Sequence, residues 1–243
     1  MGVEPEPSLR SGAMARAQSA GAEGRVRVVA GSAEALSFAD DAFDLVTCQT
    51  VLMHVPDAER ALFEMARVLR PGGLLLATEP DNAATALAGW GGDPEEPVET
   101  VTARLRLTLT LIRGRRALGQ GDEAVGARLP GLLSGLGLVE VDTCLNERCV
   151  PLVPPYADPQ AAVDLRRLAE GHAASARPSA QEREQFAAGG GDPAELDALW
   201  SLDRQARQRA LDAAGAGRLS RASAVVQVVA TGRKPAGWAG RRG

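Results

Sequence analysis

Lysine occurs once in these 243 residues, at Lys234, so nearly all positive charge is arginine. With the many alanines and glycines, this marks a high-GC coding bias rather than a function. Aromatics are also scarce, at 3%, so a core must rest on Leu, Val and Ala. The 45% apolar share is enough to build one and argues against global disorder. There is no basic field: a net charge of −4 and a pI near 5.4 argue against nucleic acid as a partner. No apolar run approaches the roughly 18 residues of a membrane span, and no basic head followed by an apolar stretch marks a secretory leader. The expected location is therefore cytoplasmic. Cys48, Cys144 and Cys149 are odd in number and fit no zinc spacing, so they read as small buried hydrophobes and no metal is expected. There is no internal repeat.

What is present is an alternation of short apolar runs and amphipathic stretches. Residues 2–7 read as the end of a strand entering a turn, and Ser8 as the cap of a helix over residues 8–20. Residues 25–30 and 43–48 are β-rich runs suited to parallel strands. Pro56-Asp57 opens the clearest helix, with Ala58, Ala61, Leu62, Met65, Ala66 and Leu69 on one face. Pro71-Gly72-Gly73 ends it, and residues 74–78 follow as a third strand. Strand, helix, tight turn, strand is the grammar of a doubly wound α/β sheet. Residues 83–96 read as a loop, 97–118 and 122–136 as helices, and 138–149 as a strand. Helices over 157–175, 179–188 and 193–214 precede a last strand at 223–232. Two late strands separated by helices predict an antiparallel hairpin at a sheet edge with a helical lid.

Several segments, in order, resemble class I S-adenosylmethionine (SAM) dependent methyltransferases of the UbiE-like, methyltransferase-domain type. Gly2-Val3-Glu4-Pro5 is similar to that family's second-strand end, and Gly31-Ser32-Ala33-Glu34-Ala35-Leu36 to its GDAExLPF segment. Phe43-Asp44-Leu45-Val46 resembles its FDLV strand, and residues 67–73, RVLRPGG, its helix-to-strand turn. Residues 231–235 resemble its closing strand end. The resemblance implies a Rossmann-like, mostly parallel sheet with an antiparallel C-terminal edge strand and a helical lid insertion. It divides the chain into a core of residues 1–155 and 221–236, a lid of 156–220 and a disordered tail of 237–243.

The resemblance also implies a cofactor, SAM, and a set of residues. Glu4, with Pro5 behind it, would accept the ribose hydroxyls; Ser32, Ala33 and Glu34 would line the adenine; Gln49 and Thr50 would stand at the mouth of the cleft. His54 is a candidate general base by its ordinary titration range, with packing or capping before Val55-Pro56 as the plainer reading. His172 reads as a surface residue. The acceptor would be a small molecule, set by residues 83–135 and 157–220. Arginines 104, 106, 113, 115 and 116 could meet an acidic substrate or form a solvated helix face. The family's first strand and GxGxG loop have no counterpart, which implies real protein upstream of Met1 and a gap at the centre of the sheet, unless the third strand slides over to close it. A non-catalytic remnant that keeps the fold is the alternative function. A nicotinamide-linked oxidoreductase would share the acid after the second strand, but the FDLV and RVLRPGG segments argue against it.

Overall fold

The computed structural model describes residues 1–89, 96–146, 149–174, 176–223 and 225–240. In chain order they form β1 (Gly2–Val3), α1 (Pro7–Ser19), β2 (Val28–Val29), β3 (Phe43–Gln49), α2 (Ala58–Val68), β4 (Leu69–Pro80), α3 (Asn82–Gly89) and α4 (Val98–Ala117). There follow α5 (Leu129–Gly135), β5 (Val139–Leu145), β6 (Val150–Leu152), α6 (Pro159–Ala174), α7 (Ala180–Ala188), α8 (Pro193–Gly215), β7 (Arg221–Ser223) and β8 (Gln227–Arg233). No described helix is long and apolar enough to cross a membrane.

The main sheet has the order β3-β4-β8-β5. β3 runs parallel to β4, whereas β8 is antiparallel to both β4 and β5. The C-terminal strand is thus antiparallel, as expected, but internal: β5 holds the edge. The reason is pairing. Seven residues of β4 register against β8, from Leu74↔Arg233 to Pro80↔Gln227, so the last strand satisfies the second edge of β4.

β1 and β2 pair in parallel, Gly2 with Val28 and Val3 with Val29, and stand apart from β3. A cavity of about 580 Å³ separates them, lined by Gly2 and Val3 on one side and by Leu45 and Thr47 on the other. Leu45 is 53% exposed there, an uncommon position for a leucine in mid-strand. The third strand does not slide over to close the gap. Two residues of β2 meet β1 and none meets β3 among those described.

The core forms where the helical periodicity meets the sheet. Ala61, Leu62, Met65 and Ala66 of α2 pack with Leu75 and Ala77 of β4 and with Leu129 and Leu133 of α5. Asp57 starts α2 by accepting from the Arg60 N–H at 2.8 Å. The single lysine finishes it: Lys234 Nζ donates to the Arg67 and Leu69 carbonyls at 3.0 and 2.7 Å and to Asp41 at 2.7 Å. A cation is favoured at that end, where helix carbonyls lack amide partners.

A second cluster joins Leu107 of α4 to Phe186 of α7 and Leu196 and Leu199 of α8. The helical insertion therefore shares its interior with α4. Glycine lets the backbones meet: a methyl at Gly114 would overlap the Gln185 carbonyl, and one at Gly189 the Thr110 carbonyl.

Local expectations fail where a stronger partner intervenes. The cap of α1 is Glu6 rather than Ser8, with Pro7 in the first turn. Residues 122–136 are a 3₁₀ turn (Gly126–Arg128) and a short α5 rather than one helix. Residues 82–89 are helical, and β6 pairs with β7 in a hairpin that the sequence reading lacks. Of the expected tail, residues 237–240 are ordered by Trp238, whose indole donates to the Leu136 carbonyl at 2.7 Å and lies under the Lys234 cation. Residues 241–243 lie outside the described set. Cys48 is buried, but Cys144 and Cys149 are exposed. His172 is half-buried, and its Nδ1 is enclosed without a hydrogen-bond partner among the described residues.

Candidate functional site

Three strand ends meet at the cavity beside β3. Val3 at the end of β1, Ala33 after β2 and Gln49 at the end of β3 all line it, with Val51 and Thr78. Ligand crevices in open α/β sheets form at these carboxyl ends.

Each predicted residue can now be placed. Glu4 follows β1 directly, and its N–H donates to the Val29 carbonyl at 3.1 Å. Its Oε1 accepts from the Glu6 N–H at 2.9 Å, which fixes the carboxylate at the strand end. Arg10 braces the turn by donating to the Glu4 and Pro5 carbonyls at 2.8 and 2.7 Å. Ser32 Oγ accepts from the Glu34 N–H at 3.2 Å and so shapes its own turn. Glu34 is drawn away: its carboxylate accepts from the Asp57 N–H at 3.0 Å, and its carbonyl from Arg60 at 3.1 Å. Ala33 and Gln49 reach the cavity wall; Glu4, Ser32, Glu34 and Thr50 are chain neighbours of lining residues without lining it, and Pro5 lies one residue further off. His54 is exposed and also lies off the wall.

Thr50 adopts φ +54°, a left-handed conformation that costs a non-glycine residue about 1–2 kcal/mol. Two hydrogen-bond systems hold it. Its N–H donates to the Thr78 carbonyl at 2.9 Å. The next three residues hang on one carboxylate: Glu79 accepts from the N–H groups of Val51 (2.8 Å), Leu52 (2.9 Å) and Met53 (3.2 Å). Glu79 is fully buried at the end of β4. No role for Glu79 was read from the sequence. The available signal was a charged residue closing a run, residues 74–78, that is otherwise apolar but for one threonine.

Glu79 also acts on its neighbour Cys48. Burial first, and then the Glu79 charge, push the Cys48 thiol up to about 12, so it stays protonated. The loop that follows α4 packs against the same region. A methyl at Gly121 (φ +96°) would overlap the Met53 carbonyl, and one at Gly126 would crowd the carbonyls of Glu79 and Pro80.

A second clamp supports the loop after β2. Glu64 of α2 accepts from the Leu36 N–H at 3.0 Å and pairs with Arg67 at 2.8 Å. Arg67 donates onward to the Leu36 and Phe38 carbonyls at 2.8 and 2.9 Å. The Arg67 hydrogen bond holds the Glu64 carboxyl below its ordinary range, and the Glu64 and Asp40 contacts hold the Arg67 guanidinium above its own.

The crevice suits an adenosyl group in part. Its wall is mostly apolar, with the hydroxyls of Thr47 and Thr78 and the amide of Gln49, and it carries no carboxylate among the described residues; Glu4 stands one residue beyond the lining Val3. Its only lining glycine is Gly2, so no glycine-rich turn at a helix N-terminus answers to the methionine end of SAM among the described residues.

Comparison with known proteins finds partial matches. Residues 1–77 match the family model described as a methyltransferase domain. Demethylmenaquinone methyltransferase from Mycolicibacterium paratuberculosis is 53% identical over 68 residues, 28% of this chain and 30% of that protein. The ubiquinone/menaquinone biosynthesis C-methyltransferase UbiE of Klebsiella pneumoniae is 51% identical over 59 residues, 24% of each chain. This chain thus spans less than a third of the length of these curated relatives. The solved YcgJ protein of Bacillus subtilis aligns with 97% of this chain and 82% of its own, at 20% identity and a TM-score of 0.49.

Proposed function

We propose that this chain, which belongs to the class I SAM-dependent methyltransferases, holds the adenosyl half of a SAM site, and that the protein transfers a methyl group to a small-molecule acceptor. The observation that carries this is the shared crevice of Val3, Ala33 and Gln49, with Glu4 one residue beyond Val3 and its carboxylate held by the Glu6 N–H. SAM, when bound, supplies an electrophilic sulfonium methyl, and the chain's own work is positioning. In this reading Glu4 accepts the ribose hydroxyls, and Ser32 and Ala33 border the adenine. Gln49 and Thr50 form the mouth, held rigid through Glu79. Pro5 stiffens the turn behind Glu4. Glu34 acts indirectly, by tying the adenine loop to the start of α2. His54, exposed on the same loop, is the candidate general base for the acceptor.

The test is calorimetric titration of SAM and S-adenosylhomocysteine into this chain, into a Glu4→Gln variant, and into a chain lengthened by any residues its gene encodes ahead of Met1. Losing a charge-assisted pair of hydrogen bonds, at about 1.5–3 kcal/mol, should weaken binding tenfold or more in Glu4→Gln. A second reading, a non-catalytic protein that keeps the fold, is favoured by an edge of β3 that meets no strand, and a crevice with no glycine-rich turn, among the described residues. It prevails if neither folded chain has affinity for SAM.

A further inference from the structure

A second cavity, of about 450 Å³, lies among α4, α6, α8 and the segment leading into β7. Thr85 and Ala86 close one side. They belong to α3, which begins at the carboxyl end of β4, on the rim that also carries Gln49. Five arginines line the cavity (Arg104, Arg207, Arg209, Arg218 and Arg221) against two carboxylates, Glu96 and Asp203.

Both carboxylates are already shared. Glu96 meets Arg104 at 3.2 Å and Arg209 at 2.9 Å. Asp203 meets Arg104 at 3.1 Å and Arg207 at 2.6 Å. Arg218 and Arg221 form no ion pair with any described residue. Five cations less two anions leaves the described wall at +3, in a chain whose net charge is −4. Asp164, whose charge reaches Arg221, lowers the surplus by one at most. Arg221 is only partly exposed; burial and the charge of Arg104 hold its guanidinium below its ordinary range. Arg218 is exposed and Arg221 half-buried; a partly buried guanidinium outside any ion pair costs free energy, and an anion beside it lowers that cost. Ala206, Ala210, Ala213 and Leu219 give the same cavity an apolar side.

We propose that this cavity binds the anionic group, a carboxylate or a phosphate, of a small molecule with a compact apolar body, with Arg221 and Arg218 as its principal partners. Guanidinium forks match both groups bidentately. Under the function proposed above, that molecule is the methyl acceptor; the binding itself does not depend on that reading.

The experiment uses the full chain at fixed ionic strength in chloride buffer. Thermal melts and calorimetry are run with inorganic phosphate and with acetate as probes, on wild type, Arg221→Met, Arg218→Met and a control, Arg70→Met, outside the cavity. A saturable rise in melting temperature is expected for wild type and control, with affinity falling at least tenfold in Arg221→Met. Comparing the two probes tells phosphate from carboxylate. Without anion, Arg221→Met should melt no lower than wild type, because it removes an unpaired charge. An equal anion response in wild type and Arg221→Met overturns the proposal, as does a non-saturable response or a clearly lower melting point of the anion-free variant. SAM titration of these samples and of the lengthened chain separates the two ideas: SAM binding without anion binding sinks only the arginine site, and anion binding with no SAM affinity in either chain sinks only the methyltransferase reading.

Discussion

Replacing Glu79 with alanine should cost more stability than any other single change at the crevice. The carboxylate is fully buried and is the acceptor for three consecutive N–H groups. Those of Leu52 and Met53 are buried; that of Val51 is partly so. Leaving a buried donor without an acceptor costs about 1–3 kcal/mol. Three donors, partly relieved by water entering at Val51, give about 3–6 kcal/mol, a large share of the roughly 5–15 kcal/mol that holds a domain together. Glu79→Gln keeps one acceptor oxygen but turns an amide N–H₂ toward the remaining donors, so about half that loss is expected. The assay is urea denaturation followed by circular dichroism, reading the shift in midpoint at constant slope. Hydrogen exchange at residues 51–53 should speed up in step. An alanine variant within about 0.5 kcal/mol of wild type, the range of ordinary surface changes, would refute the claim that this carboxylate organises the loop.

Other outcomes follow from the same contacts. Lys234→Met leaves the Arg67 and Leu69 carbonyls without their donor and should cost about 2–4 kcal/mol in the same melts, with Lys234→Arg failing to restore it fully because the compact ammonium is what fits. Glu64, held low by Arg67, contributes stability that is present above the ordinary glutamate range and lost as pH falls through its lowered value; Glu64→Gln should flatten the acid side of a stability-against-pH curve. Thiol labelling of native protein at neutral pH should modify Cys144 and Cys149 and spare Cys48, which is buried and pushed up to about 12, until denaturant is added. Gly114→Ala should force α4 from α7 and lower the melting temperature, because the added methyl overlaps the Gln185 carbonyl.

Elements that were legible in the sequence are those whose pattern is long and local. α2 shows this best: its apolar face and its start at Asp57 are in the residues, and the face packs as its spacing requires, although the helix ends at Val68 and β4 already runs from Leu69 through Pro71-Gly72-Gly73 rather than starting at residue 74. β3 and the middle of β4 were equally plain. The short β2 was overestimated, since only Val28 and Val29 find a partner in β1. The β6–β7 hairpin joins residues about 70 apart, as in Val150↔Ser223, and three-residue strands give no periodic signal. Among the site residues, Ala33 and Gln49 reach the crevice as their positions after strands implied. Glu34 does not, because a free N–H at Asp57 competes for its carboxylate.

By itself, the sequence determined the longer strands and helices and the resemblance of its first third to a methyltransferase domain, because these rest on local periodicity and on short motifs that follow strands. Only the tertiary structure decided that β8 sits inside the sheet, that Glu79 carries the loop after β3, and that arginines far apart in the chain surround one cavity with more positive charge than its carboxylates offset. Those facts depend on which distant backbone groups and charges are brought together away from water, where an unpaired donor or cation is costly, and no linear pattern encodes that meeting.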